Sequence, residues 1–289
     1  MSSKFKLNLY AFITVFIWAS AFPLTKLACQ EFSPNSLGLV RCTVASLVLL
    51  SAAKINHIRL PFHKKDILYF IAAGGMGFTL YMIFFNTGML TLTSATSSII
   101  IAATPVLTAA GAGKFFGEKI SAAGWVSIIM AFIGVVILLM WNGILSINTG
   151  ILWTVAAMLV FCGYNLISRK LSYLGYTSAE TVTYSMICGA VLLTVFIPDA
   201  ASELSGISLK SILIAVYLGI MPSALSYVLW GKAMGLADRL SEVTNYMFIT
   251  PLLSALMGFA LLREIPDAGT LIGGIIIISS VIMFNIRGK

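Results

Sequence analysis

Residues 94–118 read SATSSIIIAATPVLTAAGAGKFFGE and residues 240–264 read LSEVTNYMFITPLLSALMGFALLRE. Superposed at an offset of 146 (251 − 105), they set Thr104-Pro105 on Thr250-Pro251 and Glu118 on Glu264, while upstream Tyr81 falls on Tyr227. Each tyrosine stands 24 positions before its proline, and each proline 13 before its glutamate. A second offset of 143 (161 − 18) sets Trp18, Phe22 and Lys26 on Phe161, Asn165 and Arg169. A fixed-order repeat of this length marks a duplicated chain. The halves are residues 1–145 and 146–289.

The solvent of these halves follows from composition. The chain is 59% hydrophobic and 10% charged, with a mean hydropathy of +1.00, whereas a soluble domain carries about 25% charge. The apolar residues fall in stretches of about 20, enough to cross a hydrocarbon layer as helix. Outer-membrane strands would alternate apolar and polar residues, which Leu271–Phe284 does not. The reading is an all-α membrane protein with ten transmembrane helices near 9–28, 35–54, 67–90, 94–114, 121–140, 150–170, 179–197, 209–235, 240–261 and 268–286. Five helices per half is an odd number. The second half therefore enters the bilayer from the opposite side, giving two inverted five-helix repeats around a central cavity.

The net charge of +8 comes from Lys and Arg scattered through the connections, without a basic stripe or nucleic-acid motif, so no nucleic-acid partner is expected. Most of these residues fall on alternate connections, while 90–94 and 141–149 contain none. The positive-inside rule then places both termini in the cytoplasm of a multi-pass protein of the plasma (bacterial inner) membrane. Cys29, Cys42, Cys162 and Cys188 have no CxxC or metal-ligand spacing, so free thiols, no metal and no cofactor are expected.

With Trp18-Ala-Ser-Ala-Phe22, Arg41 and the duplicated Tyr81–Glu118 and Tyr227–Glu264 spacings, the sequence resembles the EamA-type branch of the drug/metabolite transporter superfamily. The resemblance spans essentially the whole chain. It implies a cavity lined mainly by helices one, three, four, six, eight and nine, and transport of amino acids, metabolites or amphipathic compounds, often outward. Small multidrug relatives use a central carboxylate in helix one; here that depth holds Trp18, Ala19 and Ser20. No Asp, Glu or His lies mid-span, so facilitated diffusion or exchange fits better than copied proton exchange.

Trp18 and Phe22 are spaced i, i+4 and Tyr227 and Trp230 i, i+3, so each pair shares a helix face. Together with Tyr81, Tyr164 and Tyr246 they are expected to wall a substrate site, with Asn86, Asn165 and Asn245 as its polar groups. Interfacial belts or interhelical packing compete with that reading. Pro23, Pro105, Pro222 and Pro251 lie inside predicted spans, where each removes a donor and frees the carbonyl four residues earlier, those of Ala19, Ile101, Leu218 and Met247. They form the hinge or gate set, with plain kinking as the competing role. Pro23 aligns with Leu166 and Pro222 with Met76, so those two bends are expected to lack counterparts. For Arg41, snorkelling or a helix-end contact competes with anion binding.

Three functions are weighed. A transporter of small amphipathic metabolites, amino acids foremost, follows from the repeat and the aromatic set; its partners are the solute and the lipid bilayer, with no protein partner required. An aromatic cage for quaternary amines is the second reading. A non-transporting structural protein is the third. An enzyme is disfavoured because His57 and His63 share one connection and no nucleophile, base or metal cluster accompanies them.

Overall fold

The computed structural model describes residues 3–55, 63–117, 120–141, 148–236, 243 and 245–287. Among them every regular element is helical. In chain order the helical spans are α1 (Ser3–Ala28), α2 (Pro34–Ile55), α3 (Lys64–Met89), α4 (Ser94–Phe116), α5 (Ala122–Met140), α6 (Thr149–Tyr173), α7 (Ser178–Glu203), α8 (Leu209–Ala233), α9 (Thr250–Leu262) and α10 (Ala268–Arg287). Seven of these described spans, all except α5, α9 and α10, are long and apolar enough to cross a membrane. The remaining three contain shorter apolar stretches, Ala122–Leu138, Thr250–Leu262 and Ala268–Phe284.

Helices dominate because lipid offers no partner to an open backbone N–H or C=O. Their starts are satisfied by side chains. Thr93, Ser121, Asn148 and Ser208 accept from backbone N–H groups two or three residues on, and Thr177 and Glu180 form a reciprocal capping box. Glu31 accepts from both the amide and the hydroxyl of Ser208, at 2.6 and 2.9 Å. Glu31 and Glu180 are thus helix-end groups rather than carboxylates at membrane depth. Glu118 and Glu242 lie outside the described residues.

The interruptions are more regular than the prolines suggest. In α3, Gly75–Leu80 is wound as π-helix, and in α8 so is Met221–Leu225. The two begin 146 positions apart (221 − 75), so the bend at Pro222 does have a counterpart, at Met76, contrary to the expectation of an unmatched bend. A π turn needs one extra residue in the turn, not a proline. Within this segment Gly77 lets the Tyr164 ring of α6 pack against the backbone, since a β-carbon there would strike it.

Pro105 and Pro251 also differ from simple kinks. The α-helix of α4 stops at Ala102 and restarts at Thr104, while α9 begins at Thr250 after a 3-10 turn over Asn245–Ile249. Each proline sits in the first turn of a new segment, where a missing N–H costs little. The Ile101 carbonyl freed by Pro105 accepts from the Thr104 hydroxyl at 2.6 Å. Pro23 lies within the unbroken helix α1.

Packing runs largely between the halves. Helix α1 lies against α8 and α9, α2 against α7 and α8, α3 against α6 and α7, α4 against α6 and α9, and α5 against α10. The last pair crosses on glycine: a β-carbon at Gly134 would lie 2.5 Å from Ile277 Cγ1 and 3.0 Å from the Gly273 carbonyl oxygen. Small residues let backbones approach where lipid supplies no hydrophobic drive. Gly134→Leu is therefore expected to lower stability by roughly 1–3 kcal/mol through overpacking. Thermal unfolding in detergent measures it, with Gly206→Ala, which meets no neighbour within 4 Å, as the unaffected control.

Candidate functional site

The interrupted helices converge on one cavity. Its walls are Trp18, Ala21 and Phe22 of α1, Arg41 of α2, Tyr81, Met82 and Phe85 of α3, Ser98, Ile101 and Ala102 of α4, Phe161 of α6, Pro222, Ser223 and Tyr227 of α8, and Met247 and Thr250 at the start of α9. The space is about 100 Å³, below the 300–1,000 Å³ common for drug-sized ligands. It suits a guest no larger than a small metabolite.

The aromatic walls are ordered by one another. Trp18 meets Tyr227 edge-on with centroids 5.7 Å apart, and Trp230 lies behind it at 5.1 Å. Tyr81 stacks on Phe85 at 5.4 Å, 7° from parallel, and touches Phe161 at 5.1 Å; Phe85 in turn meets Phe22 edge-on at 5.4 Å. The Trp18 indole donates to the Pro222 carbonyl at 3.1 Å. That bond links α1 of the first half to the π segment of the second, and fixes the indole plane.

Arg41 is the charged member of the wall. Its residue exposure is 3%. Nη1 donates to Thr25 Oγ1 at 3.1 Å and, at 3.5 Å, to Asn86 Oδ1, while Nη2 reaches Ser223 Oγ at 3.5 Å. Its Nε has no acceptor among the described residues. Among the described residues no carboxylate pairs with it.

An ion pair joins helix ends outside the cavity walls. Lys26 Nζ donates to Glu264 Oε1 at 2.6 Å and to the Leu92 carbonyl at 2.8 Å. Glu264 Oε2 accepts from the Ser94 amide at 2.7 Å. The pair ties α1 and the α3–α4 connection to the end of α9.

Of the expected site residues, the cavity brings together Trp18, Phe22, Tyr81, Tyr227 and Pro222. Trp230 and Tyr246 pack with Leu7, Ala11, Ala233 and Val243 instead. Tyr164 is 5% exposed and buried against Phe78 and Phe161. Asn165 donates to Thr108 Oγ1 at 3.3 Å, away from the walls. Asn86 is wholly buried, donates to the Pro34 carbonyl at 2.9 Å and presents its oxygen to Arg41. The side chain of Asn245 lies outside the described residues. Missed by sequence reasoning were α2 as a wall and the residues Phe85, Ser98, Phe161 and Ser223, while Arg41, weighed but left outside the expected site, is a wall residue. The polarity of Arg41 was the available signal; its helix face was not.

The EamA-like transporter family model matches residues 5–140 and, a second time, residues 148–286. The chain belongs to this family. It is accordingly a multi-pass membrane transporter. A probable terminal-alkyne amino-acid exporter of Streptantibioticus cattleyicolor is 29% identical over 95% of this chain and 92% of its own length. An uncharacterized transporter of Bacillus subtilis is 27% identical over 92% of this chain and 86% of its own. An S-adenosylmethionine uptake transporter of Rickettsia bellii is 29% identical over 63% of this chain and 60% of its own. A solved crystal structure shares the fold with a TM-score of 0.64 at 17% identity, over 96% of this chain and 95% of that one.

Proposed function

We propose that this EamA-type transporter moves a small amphipathic metabolite, amino acids or related compounds foremost, across the plasma membrane by alternating access, as an exporter or facilitated exchanger. The observation that carries this reading is the aromatic cavity walled by both halves and bordered by the three interrupted spans α3, α4 and α8 and by the start of α9. The relative named as an amino-acid exporter points to the same solute class. Neighbouring Arg41 weighs against the organic-cation reading, because a buried positive charge repels a cationic guest.

The ten-span, inverted-repeat architecture belongs to the same proposal. Seven long spans and three shorter apolar helices make ten, and the family model matches twice. Helix contacts support it: exchanging α1 with α6, α3 with α8 and α4 with α9 turns the α1–α8 contact into α6–α3, and α1–α9 into α6–α4, each of which occurs. With both termini cytoplasmic, Lys26 and Glu264 stand on the outer side. Breaking their link would open the cavity outward, and the paired segment starts at Pro105 and Pro251 would take up the bending.

Counterflow of aromatic amino acids into proteoliposomes tests the function. Saturable exchange with solute on both sides is expected, and its absence for every amino acid tried would remove amino acids as the proposed solute class. In the same assay Pro105→Ala and Pro251→Ala, which restore a backbone donor, should change exchange rate more than affinity measured in a fixed conformation. Unchanged rates per folded molecule, with lowered stability only, would make the two prolines structural.

A further inference from the structure

Arg41 is held in a way that leaves its charge for something else. A guanidinium has five N–H donors and no acceptor, and at membrane depth a buried cation is ordinarily paired with an opposite charge or with backbone carbonyls. Here the neighbours are neutral: one hydroxyl at 3.1 Å, and an amide oxygen and a second hydroxyl at 3.5 Å. Among the described residues Nε has no acceptor, although Arg41 is only 3% exposed. The group borders the cavity beside Ser223 and Tyr81. Asn86, oriented by its own bond to the Pro34 carbonyl, positions the guanidinium from behind.

Charge balance then selects the guest. The two donors on one edge of a guanidinium match the two oxygens of a carboxylate, and such charge-assisted pairs are about twice as strong as neutral hydrogen bonds. Trp18, Phe22 and Phe85 supply apolar surface in the same cavity. We infer that Arg41 is the fixed countercharge for the carboxylate of an apolar-bodied amino acid or monocarboxylate, with Asn86 as its positioning residue. This rests on the transport reading above and names the chemical group by which the solute is recognised.

The test uses full-length protein in detergent, thermal unfolding as readout, and four probes: 3-phenylpropanoate, L-phenylalanine, phenethylamine and chloride. The two carboxylates are expected to raise the unfolding temperature saturably, while phenethylamine and chloride at equal concentration do not. Arg41→Gln should weaken 3-phenylpropanoate binding about tenfold or more, and Arg41→Lys should retain part of it. If Arg41→Gln does not fold, Arg41→Lys and the wild-type probe comparison decide. Stabilisation by phenethylamine or chloride equal to that by 3-phenylpropanoate overturns the inference, as does a folded Arg41→Gln that binds within about twofold of wild type. So does failure of both carboxylates to stabilise, and counterflow of another solute would then leave the transport reading standing.

Discussion

Charge reversal at Glu264 is expected to loosen the bundle where Lys26 now ties α1 to the end of α9. Glu264→Lys removes the 2.6 Å ion pair, places two ammonium groups together and leaves the Ser94 amide without its acceptor. Hydrogen bonds to charged groups contribute roughly 1.5–3 kcal/mol. Losing one set from the paired conformation should shift the ratio of unpaired to paired conformations about ten- to hundredfold. The double exchange Lys26→Glu with Glu264→Lys should recover only part of this. It restores the opposite charges, but lysine cannot accept from Ser94 and glutamate cannot donate to the Leu92 carbonyl. Labelling of a cysteine placed at Ser98, with Cys29, Cys42, Cys162 and Cys188 replaced, reports entry into the cavity from either side. Equal labelling in wild type and Glu264→Lys would mean that the pair braces the fold without gating it.

Trp18→Ala should have the second large effect. It deletes a cavity wall, two ring contacts and the hydrogen bond to Pro222. Buried Trp→Ala changes cost about 3–5 kcal/mol, and the half-buried Trp18 should fall at or below the lower end. Binding of an aromatic amino acid should weaken about tenfold or more, since ring contacts contribute about 0.5–1.5 kcal/mol each beyond area burial. Trp18→Phe separates the parts by keeping an apolar wall and dropping the N–H. It should bind nearly as wild type yet exchange at an altered rate, because the tie to the π segment of α8 is gone. Should folded Trp18→Ala bind the solute unchanged, the cavity would not be the binding site.

The membrane character and the family were legible because long apolar stretches and duplicated spacings survive without side-chain geometry. Trp18, Phe22, Tyr81 and Tyr227 were legible for a related reason: they are aromatic residues well inside long apolar spans, and they line the cavity. Trp230 satisfied the same spacing and still packs behind Trp18. Spacing shows which residues share a face, not which neighbour that face meets. Arg41 was obscured because its depth along α2 suggested a route to water, whereas its direction points it among Thr25, Asn86 and Ser223. The counterpart of the Pro222 bend was hidden for another reason. A π turn is a matter of residue count and hydrogen-bond register, and Met76 carries no mark of it.

The two π turns bear on where this chain tolerates a change in length. Removing one residue from an α-helix rotates everything beyond it by about 100° and would turn the cavity walls outward. A π turn already holds one residue more than the α-helix around it, so a one-residue deletion within Gly75–Leu80 or Met221–Leu225 can be absorbed as ordinary α-helix, with the flanking faces kept in place. Length variation inside α3 and α8 should therefore collect at these two segments.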